Sequence, residues 1–464
     1  MNFEKINDFS ENTQQILDFA EIVKKNDVID PRLYARYNVK RGLRDASGKG
    51  VLTGLTEIAE VKSYTIDDDE IVPCPGKLYY RGYSIADLVD GFSSEKRFGF
   101  EETAYLLMFG ELPTAEALTN FNEALAKYRS LPSNFVRDII MKAPSMDMMN
   151  TLLRSVLTLY AYDSNPDDTS LPNVVRQCIE LIAVTPLLAV YGYHTFEHYR
   201  EGKSLFIHPI KPGLSTAETI FHLLRDDSKY TKLEARVLDL CLVLHADHGG
   251  GNNSAFTTRV VTSTMTDTYS AMAAALASLK GPRHGGANLK VTAMMDYLKS
   301  HIKDWKDDEE VSKNIKKILD KKSFDRTGLV YGMGHAVYTV SDPRAVILKS
   351  FVSKLAKEKG YTEEFELYKK VEELAPSIIL GRKDSMRENM CANVDFYSGF
   401  VYRMLGIPQE LFTPIFAIAR MAGWSAHRIE EIATGSKIIR PAYKNVVKHT
   451  QYVPMKDRIQ TPAE

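Results

Sequence analysis

Four of the eleven histidines lie in glycine-rich stretches, the setting in which an imidazole can meet a ligand at close range. His245 and His248 stand in LHADHGGGNNS (244–254), His284 in GPRHGGAN (281–288) and His335 in GMGHAVY (332–338). His245 and His248 are three apart at the end of an apolar helical run, LDLCLVLHAD, and Gly249 is a natural stop. Three readings fit this stretch. A helix C-terminus favours a protonated imidazole, so a cationic His248 beside Asn252, Asn253 and Ser254 would bind an anion. The same residues could be structural, or His-x-Asp-His could hold zinc. For zinc a further ligating His is expected just upstream, where Leu242, Val243 and Leu244 stand.

His284 follows a Gly281-Pro282 stop and precedes the next helix. A helix N-terminus disfavours the charged form, so this imidazole would stay neutral and give an N–H to a carbonyl. As a bland alternative it caps a backbone group. Gly332 and Gly334 let backbone approach a ligand ahead of His335, and Asp342-Pro343-Arg344 is a turn presenting an arginine. Asp395, in CANVDFYSG (391–399), is either an N-cap or a carboxylate base partly desolvated by Val394, Phe396 and Tyr397. Arg420 sits among Phe416, Ile418, Met421 and Trp424 in LFTPIFAIARMAGWSAHRIEEI (411–432). A guanidinium there needs an anionic partner unless it snorkels to water. Arg440, in SKIIRPAY (436–443), is fixed by Pro441.

Other motifs fail on their chemistry. GKGVLTG (48–54) lacks the Lys-Ser/Thr of a phosphate loop and reads as a surface loop. HTFEH (194–198) has zinc-compatible spacing, but Thr195 replaces the glutamate of HExxH, and a polar face beside Tyr191, Tyr193 and Tyr199 explains it. The four cysteines have no CxxC spacing, which argues against a zinc or disulfide framework. Lys+Arg total 59 against Asp+Glu 60, so no general attraction to nucleic acid or anionic membrane is expected. The apolar run Leu181 to Val190 is short and holds Pro186, too short to span a bilayer. The N-terminal stretch is not a basic-then-apolar leader, which points to the cytoplasm.

The elements that must position these residues are mostly helices. TQQILDFAEIVKK places Ile16, Leu17, Ala20 and Val23 on one stripe, and FEETAYLLMFGELP is a short helix stopped by Gly110 and Pro113. SMDMMNTLLRSVLTLYAY reads as an amphipathic helix with Ser145 as N-cap, and VVRQCIELIAVTPLLAVYGYHTFEHYR as a buried one with a kink at Pro186. Strand signal is confined to about 57–85 and broken by Pro73, Pro75 and Gly76. HIKDWKDDEEVSKNIKKILDKKSF (301–324) and LAKEKGYTEEFELYKKVEELAP (355–376) read as solvated helices with thin apolar sides. The fold class is mainly α, with a smaller helical domain inserted into a larger one. The boundaries are 1–284 for the first part of the large domain, 285–394 for the small domain and 395–464 for the return.

In order, HADHGGGNNS, GPRHGGAN, GMGHAVY with DPRA, NVDFYSG, ARMAGWSAH and IIRP resemble citrate synthase, with GKGVLTGLT, LYYRGYSI and FEETAYLLMFGELP also similar. The resemblance covers nearly the whole chain from about Gly48. It implies an almost wholly helical two-domain enzyme, dimeric, with the active site between the domains and one arginine from the partner subunit. The implied catalytic set is His284, His335 and Asp395. The implied oxaloacetate ligands are His248, Arg344, Arg420 and, across the dimer, Arg440. The backbone at Leu329, Val330, Tyr331, Gly332, Met333 and Gly334 would receive the CoA adenine. Acetyl-CoA is then a substrate, and no metal or cofactor is expected. After Arg440-Pro441 the chain reads AYKN, where many relatives carry a longer stretch before Tyr-x-Gly. The related 2-methylcitrate synthases would use the same residues on propionyl-CoA. ATP-citrate lyase would need an ATP-binding part that is absent here. A zinc hydrolase built on His245, Asp247, His248, His194 and His198, or a helical scaffold without catalysis, are the rivals from other classes.

Overall fold

The computed structural model describes residues 10–45, 50–67, 70–335, 337–382, 389–435 and 437–458. Gly48 and Lys49 of the glycine-rich loop, Ala336 of GMGHAVY and Ser436 of SKIIRPAY lie outside the described residues. The chain is 59% helical with 5% in strands, the mainly α class expected.

The chain begins with α1 (Gln14–Asn26) and α2 (Arg32–Arg36). The α1 stripe is real, but it buries nothing: Ile16, Leu17, Phe19, Ile22 and Val23 are all exposed. An antiparallel ribbon follows, β1 (Ala59–Asp67), β2 (Glu70–Tyr80) and β3 (Tyr83–Ser84), with Ala59 opposite Tyr80 and a register shift between Lys62 and Tyr64. Contrary to the sequence reading, β2 runs unbroken through Pro73, Pro75 and Gly76. The reason is that β3 pairs only with Tyr79 and Tyr80, so the prolines face no strand on that side. Gly76 is needed for another reason. Its N–H reaches Ser341 O at 3.1 Å, and a Cβ there would lie 2.2 Å from that oxygen.

The helical body then runs through α3 (Ile85–Ser94), α4 (Phe100–Phe109), α5 (Ala115–Tyr128), α6 (Met148–Leu159), α7 (Leu171–Glu201) and α8 (Thr216–Leu224). α4 ends at Gly110 in the left-handed conformation, φ 87°, as expected. The α6 cap is Asp147, not Ser145; Ser145 Oγ instead accepts the Asp147 N–H at 3.1 Å. α7 is one continuous helix of 31 residues that absorbs Pro186. By length and composition alone it could cross a membrane, but 78% of its most apolar window is buried inside the protein, as in a core helix.

α9 (Lys232–His245) is buried on all sides from Val237 onward because it is central, and a Thr231/Glu234 capping box starts it. α10 (Asn253–Thr262) and α11 (Thr268–Lys280) follow. Then come α12 (Ala287–His301), α13 (Asp308–Leu319), α14 (Pro343–Lys359) and α15 (Thr362–Leu380). The stretch 355–376 is two helices rather than one, divided at Gly360, φ 78°, and α15 continues past Pro376. It also buries Phe365, Leu367, Tyr368 and Val371, a thicker apolar side than its charge suggested. The chain closes with α16 (Val394–Met404) and α17 (Phe412–Ala433), the latter buried along nearly its whole length. Apolar side chains from the ribbon through α17 form one connected core.

Candidate active site

Three loops and two helices bring the candidate residues together. His248 lies just past the end of α9, His284 in the turn between α11 and α12, and His335 ahead of α14. All three line one cavity of about 610 Å³, together with Gly250 and Asn252. The His248 and His335 rings are 5.1 Å apart, and Tyr338 stacks on His335 at 4.8 Å. Arg344 and Arg420 stand close enough for their charges to act both on Asp395 and on His248.

The protonation states follow from burial and hydrogen bonding. Burial and the Arg344 guanidinium lower the His335 pKa to about 4. Its Nδ1 accepts N–H bonds from Val337 at 3.0 Å and Tyr338 at 3.1 Å, so the single ring proton is on Nε2. Burial and Arg420 lower His284 to about 4, in line with a neutral donor. His284 Nε2 lies 3.1 Å from Ser254 Oγ, which is 2.9 Å from Asn252 Oδ1, and Ser278 bonds Asn253. The Asn252 and Asn253 amide oxygens and the Ser254 hydroxyl are thus engaged with one another, with His284 and with Ser278, while both asparagines line the cavity.

His248 is a correction. Its helix-end position was read as favouring a cation, yet burial, Arg344, His335 and Arg420 hold its pKa well below the usual imidazole value. Two fixed guanidiniums outweigh a partial helix charge. His248 Nε2 and both terminal nitrogens of Arg420 are buried with no hydrogen-bond partner among the described residues. Arg420 does not snorkel: it is fully buried, and its Nε binds His245 O at 2.8 Å. Unpaired donors of this kind suit a ligand rich in carboxylate oxygens. His245 is buried against Phe416, and both its ring nitrogens lack partners among the described residues.

Asp395 is not an N-cap. Asn393 caps α16, accepting the Asp395 N–H at 3.0 Å, and Asp395 stands in the first turn. Burial and the nearby Asp342 carboxylate push its pKa up to about 6, against the pull of Arg344 and Arg420. Asp342 was missed as a site residue. Its carboxylate holds Arg344 in a two-pronged pair at 3.0 and 2.7 Å and accepts the Val394 N–H at 3.2 Å, tying α14 to α16. The Asp-Pro N-cap signal was legible, but not the partner it would take.

The 329–334 loop is pinned in front of Asp395. Gly334 N–H reaches Cys391 O at 2.8 Å, Asn393 N–H reaches Gly332 O at 2.9 Å, and Asn393 Nδ2 reaches Gly334 O at 2.9 Å. Met333 pairs with Ala392, and Gly332 packs where a Cβ would meet Phe396 and Val291 at 2.8 Å. Val330 and Gly332 are buried, Leu329 is exposed, and Tyr331, Met333 and Gly334 are half-buried. Arg440 is not brought to this group. It is exposed on the tail after α17, where the neighbouring Ile439 N–H binds Ser263 Oγ at 3.1 Å.

The zinc alternative loses its ligands. His194 Nε2 is 2.8 Å from Leu223 O, and His198 Nδ1 is 2.8 Å from Lys203 O. Among the described residues no three His, Cys, Asp or Glu side chains converge on one point.

A buried carboxylate with a raised pKa, two neutral imidazoles and two buried arginines define an enzyme that condenses small carbonyl substrates. The chain belongs to the citrate synthase family: the family described as "Citrate synthase, C-terminal domain" matches residues 47–442. It is 35% identical over 396 residues to the citrate synthase of Synechocystis sp., covering 84% of this chain and 90% of that protein. It is 30% identical over 424 residues to 2-methylcitrate synthase 1 of Corynebacterium glutamicum, covering 90% and 98%. The citrate synthase of Thermoplasma acidophilum, solved as a ternary complex with carboxymethyl coenzyme A and oxaloacetate, superposes with a TM-score of 0.71 at 27% identity, covering 90% of this chain and 99% of that one.

Proposed function

We propose that this enzyme condenses acetyl-CoA with oxaloacetate and hydrolyses the resulting citryl thioester to citrate and CoA. The observation that carries it is Asp395, a buried carboxylate with its pKa pushed up to about 6, acted on by the same Arg344 and Arg420 guanidiniums that lower His335 and His284. At neutral pH Asp395 is ionised and is a stronger base than an ordinary carboxylate. It takes a proton from the acetyl methyl. The electron pair moves to the thioester oxygen, where an N–H of His284 meets the developing charge. Ser254 as placed gives its proton to Asn252 Oδ1, so for His284 to donate from Nδ1 the Asn252 amide must turn to present its N–H to Ser254, whose own proton then goes to Nε2. His335 presents Nε2–H to the ketone oxygen of oxaloacetate as the enol carbon attacks. Arg344, Arg420 and His248 receive the two carboxylates, and water then cleaves the C–S bond. Side chains hold both developing oxyanions, so this route uses no metal.

In this reading residues 285–394 form a smaller domain that supplies His335 and Arg344 and closes over the cavity. The working unit is a homodimer in which Arg440 serves the neighbouring site. Its position on an exposed tail and the uncovered apolar stripe of α1 support that arrangement. Backbone near Leu329 and Tyr331 receives the adenine. The test is oxaloacetate-dependent release of free thiol from acetyl-CoA and propionyl-CoA. Release from neither overturns the proposal; a higher kcat/KM with propionyl-CoA moves it to 2-methylcitrate synthesis, which the Corynebacterium relative keeps in view.

A further inference from the structure

One face of α17 clamps the turn that carries His248. Arg420, Gly423 and His427 recur at spacings of three and four, so they share that face. Arg420 Nε holds His245 O at 2.8 Å. At Gly423 the helix backbone touches the turn directly, because a Cβ there would lie 2.3 Å from Ala246 O and 2.6 Å from Asp247 Oδ1. His427 Nε2 meets Asp247 Oδ1 at 3.0 Å, and both residues are fully buried.

The Asp247 carboxylate spans His248. Its other oxygen accepts the Gly249 N–H at 2.7 Å, and its own N–H binds the Tyr80 hydroxyl at 3.2 Å. The carboxylate thus fixes the peptide that follows His248, while Tyr80 holds the peptide N–H of Asp247 ahead of it. Asp247 is also the negative charge nearest Arg420 in effect, favouring its charged form. Behind His427, Arg259 closes the chain. Its Nε and Nη2 approach His427 Nδ1 at 3.2 and 2.9 Å, and it pairs with Glu430 and Glu431. A guanidinium only donates, so Nδ1 must accept and the ring proton is on Nε2, facing Asp247.

We infer that His427 is a positioning residue for oxaloacetate: it orients Asp247 so that this one carboxylate fixes the His248 turn and balances Arg420. The inference rests on the proposed function. Without the Nε2–H donor, Asp247 swings toward Arg420 and competes with the substrate carboxylate. Glutamine in place of His427 keeps a donor at similar reach, whereas leucine does not.

The test is calorimetric oxaloacetate binding with steady-state kinetics on the full-length enzyme, comparing His427→Leu, His427→Gln and Arg259→Gln. His427→Leu should raise the oxaloacetate Kd roughly 30-fold while the acetyl-CoA KM stays within about threefold, a size typical of breaking one buried charged hydrogen bond. His427→Gln should return the Kd to within about threefold of wild type. Arg259→Gln, which frees the ring to turn, should give roughly a fivefold rise and keeps the test open if the leucine variant does not fold. Unchanged oxaloacetate binding in the folded variants would overturn the inference. So would equal losses for both substrates with no rescue by glutamine, which mark a general packing defect. Wild-type enzyme that binds no oxaloacetate would overturn the proposed function as well; normal wild-type binding with unaffected variants would sink this inference alone.

Discussion

Replacing Asp395 with asparagine should inactivate the enzyme and stabilise the empty protein, and the stabilisation should depend on pH in a set way. The folded Asp395 has a pKa of about 6 against an ordinary value of 3.8, because burial and Asp342 oppose its charge. Between those values the native state binds more protons than the unfolded chain, so wild-type stability falls as pH rises through this window. The shift of about 2 units at roughly 1.4 kcal/mol each comes to about 3 kcal/mol, fully expressed above about pH 7 and absent only below about pH 3. Asparagine has no charge to bury and escapes the penalty. For a chain of 464 residues the unfolding entropy is on the order of 1 kcal/mol per kelvin, so the variant should melt about 3 °C higher than wild type at pH 8. The assay is a series of thermal melts without substrates from pH 4 to 8, paired with thiol release. Turnover should fall by about three orders of magnitude through loss of the base. A melting difference that is the same at pH 4.5 and pH 8 would refute the electrostatic account, whatever its sign. Near-normal turnover would remove Asp395 as the base.

Other expected outcomes concern the remaining groups. Arg420→Leu should weaken oxaloacetate binding at least about 100-fold, since it removes a buried cation with two unpaired donors, and should spare acetyl-CoA; calorimetry with each substrate checks the order. With the Asn252 amide turned to donate to Ser254, Asn252→Asp replaces that donor by an acceptor, returns the His284 proton to Nε2 and should cut acetyl-methyl deuterium exchange by roughly 100-fold. In wild type, kcat/KM should fall tenfold per pH unit below about 6 as Asp395 is protonated, with His284 and His335 neutral until the pH nears about 4; a limb set at 7 or above would contradict the assignment. Gly76→Val should detach the ribbon from Ser341 and raise the KM of both substrates; unchanged kinetics would show that the tether does not matter.

The sequence was most legible where periodicity and stop signals agree, as in α4 with Gly110 and in α9 running into the HADH turn. It misled where tertiary contacts decide. Pro73 and Pro75 look like strand breakers until the short β3 leaves their side of β2 unpaired. The charge of His248 could not be read from its helix end, because burial sets it first and Arg344 and Arg420, from positions about 100 and 170 residues away, add to the effect. The histidines, Asp395 and the arginines were visible because glycines or apolar neighbours mark them. Asp342 and His427 act on other protein groups, and no local spacing marks the distant partners they take.

The two backbone N–H groups on His335 Nδ1 have a consequence for acidity. They leave that nitrogen no room for a proton, so the ring cannot relay one from face to face. They also stabilise the anion formed if Nε2 gives its proton up, which makes a neutral imidazole a stronger acid than it is in water. His335 is thereby a single-ended donor. Whatever it lends to the oxaloacetate oxygen must return through the same atom, from the same side of the cavity, before the next turnover begins.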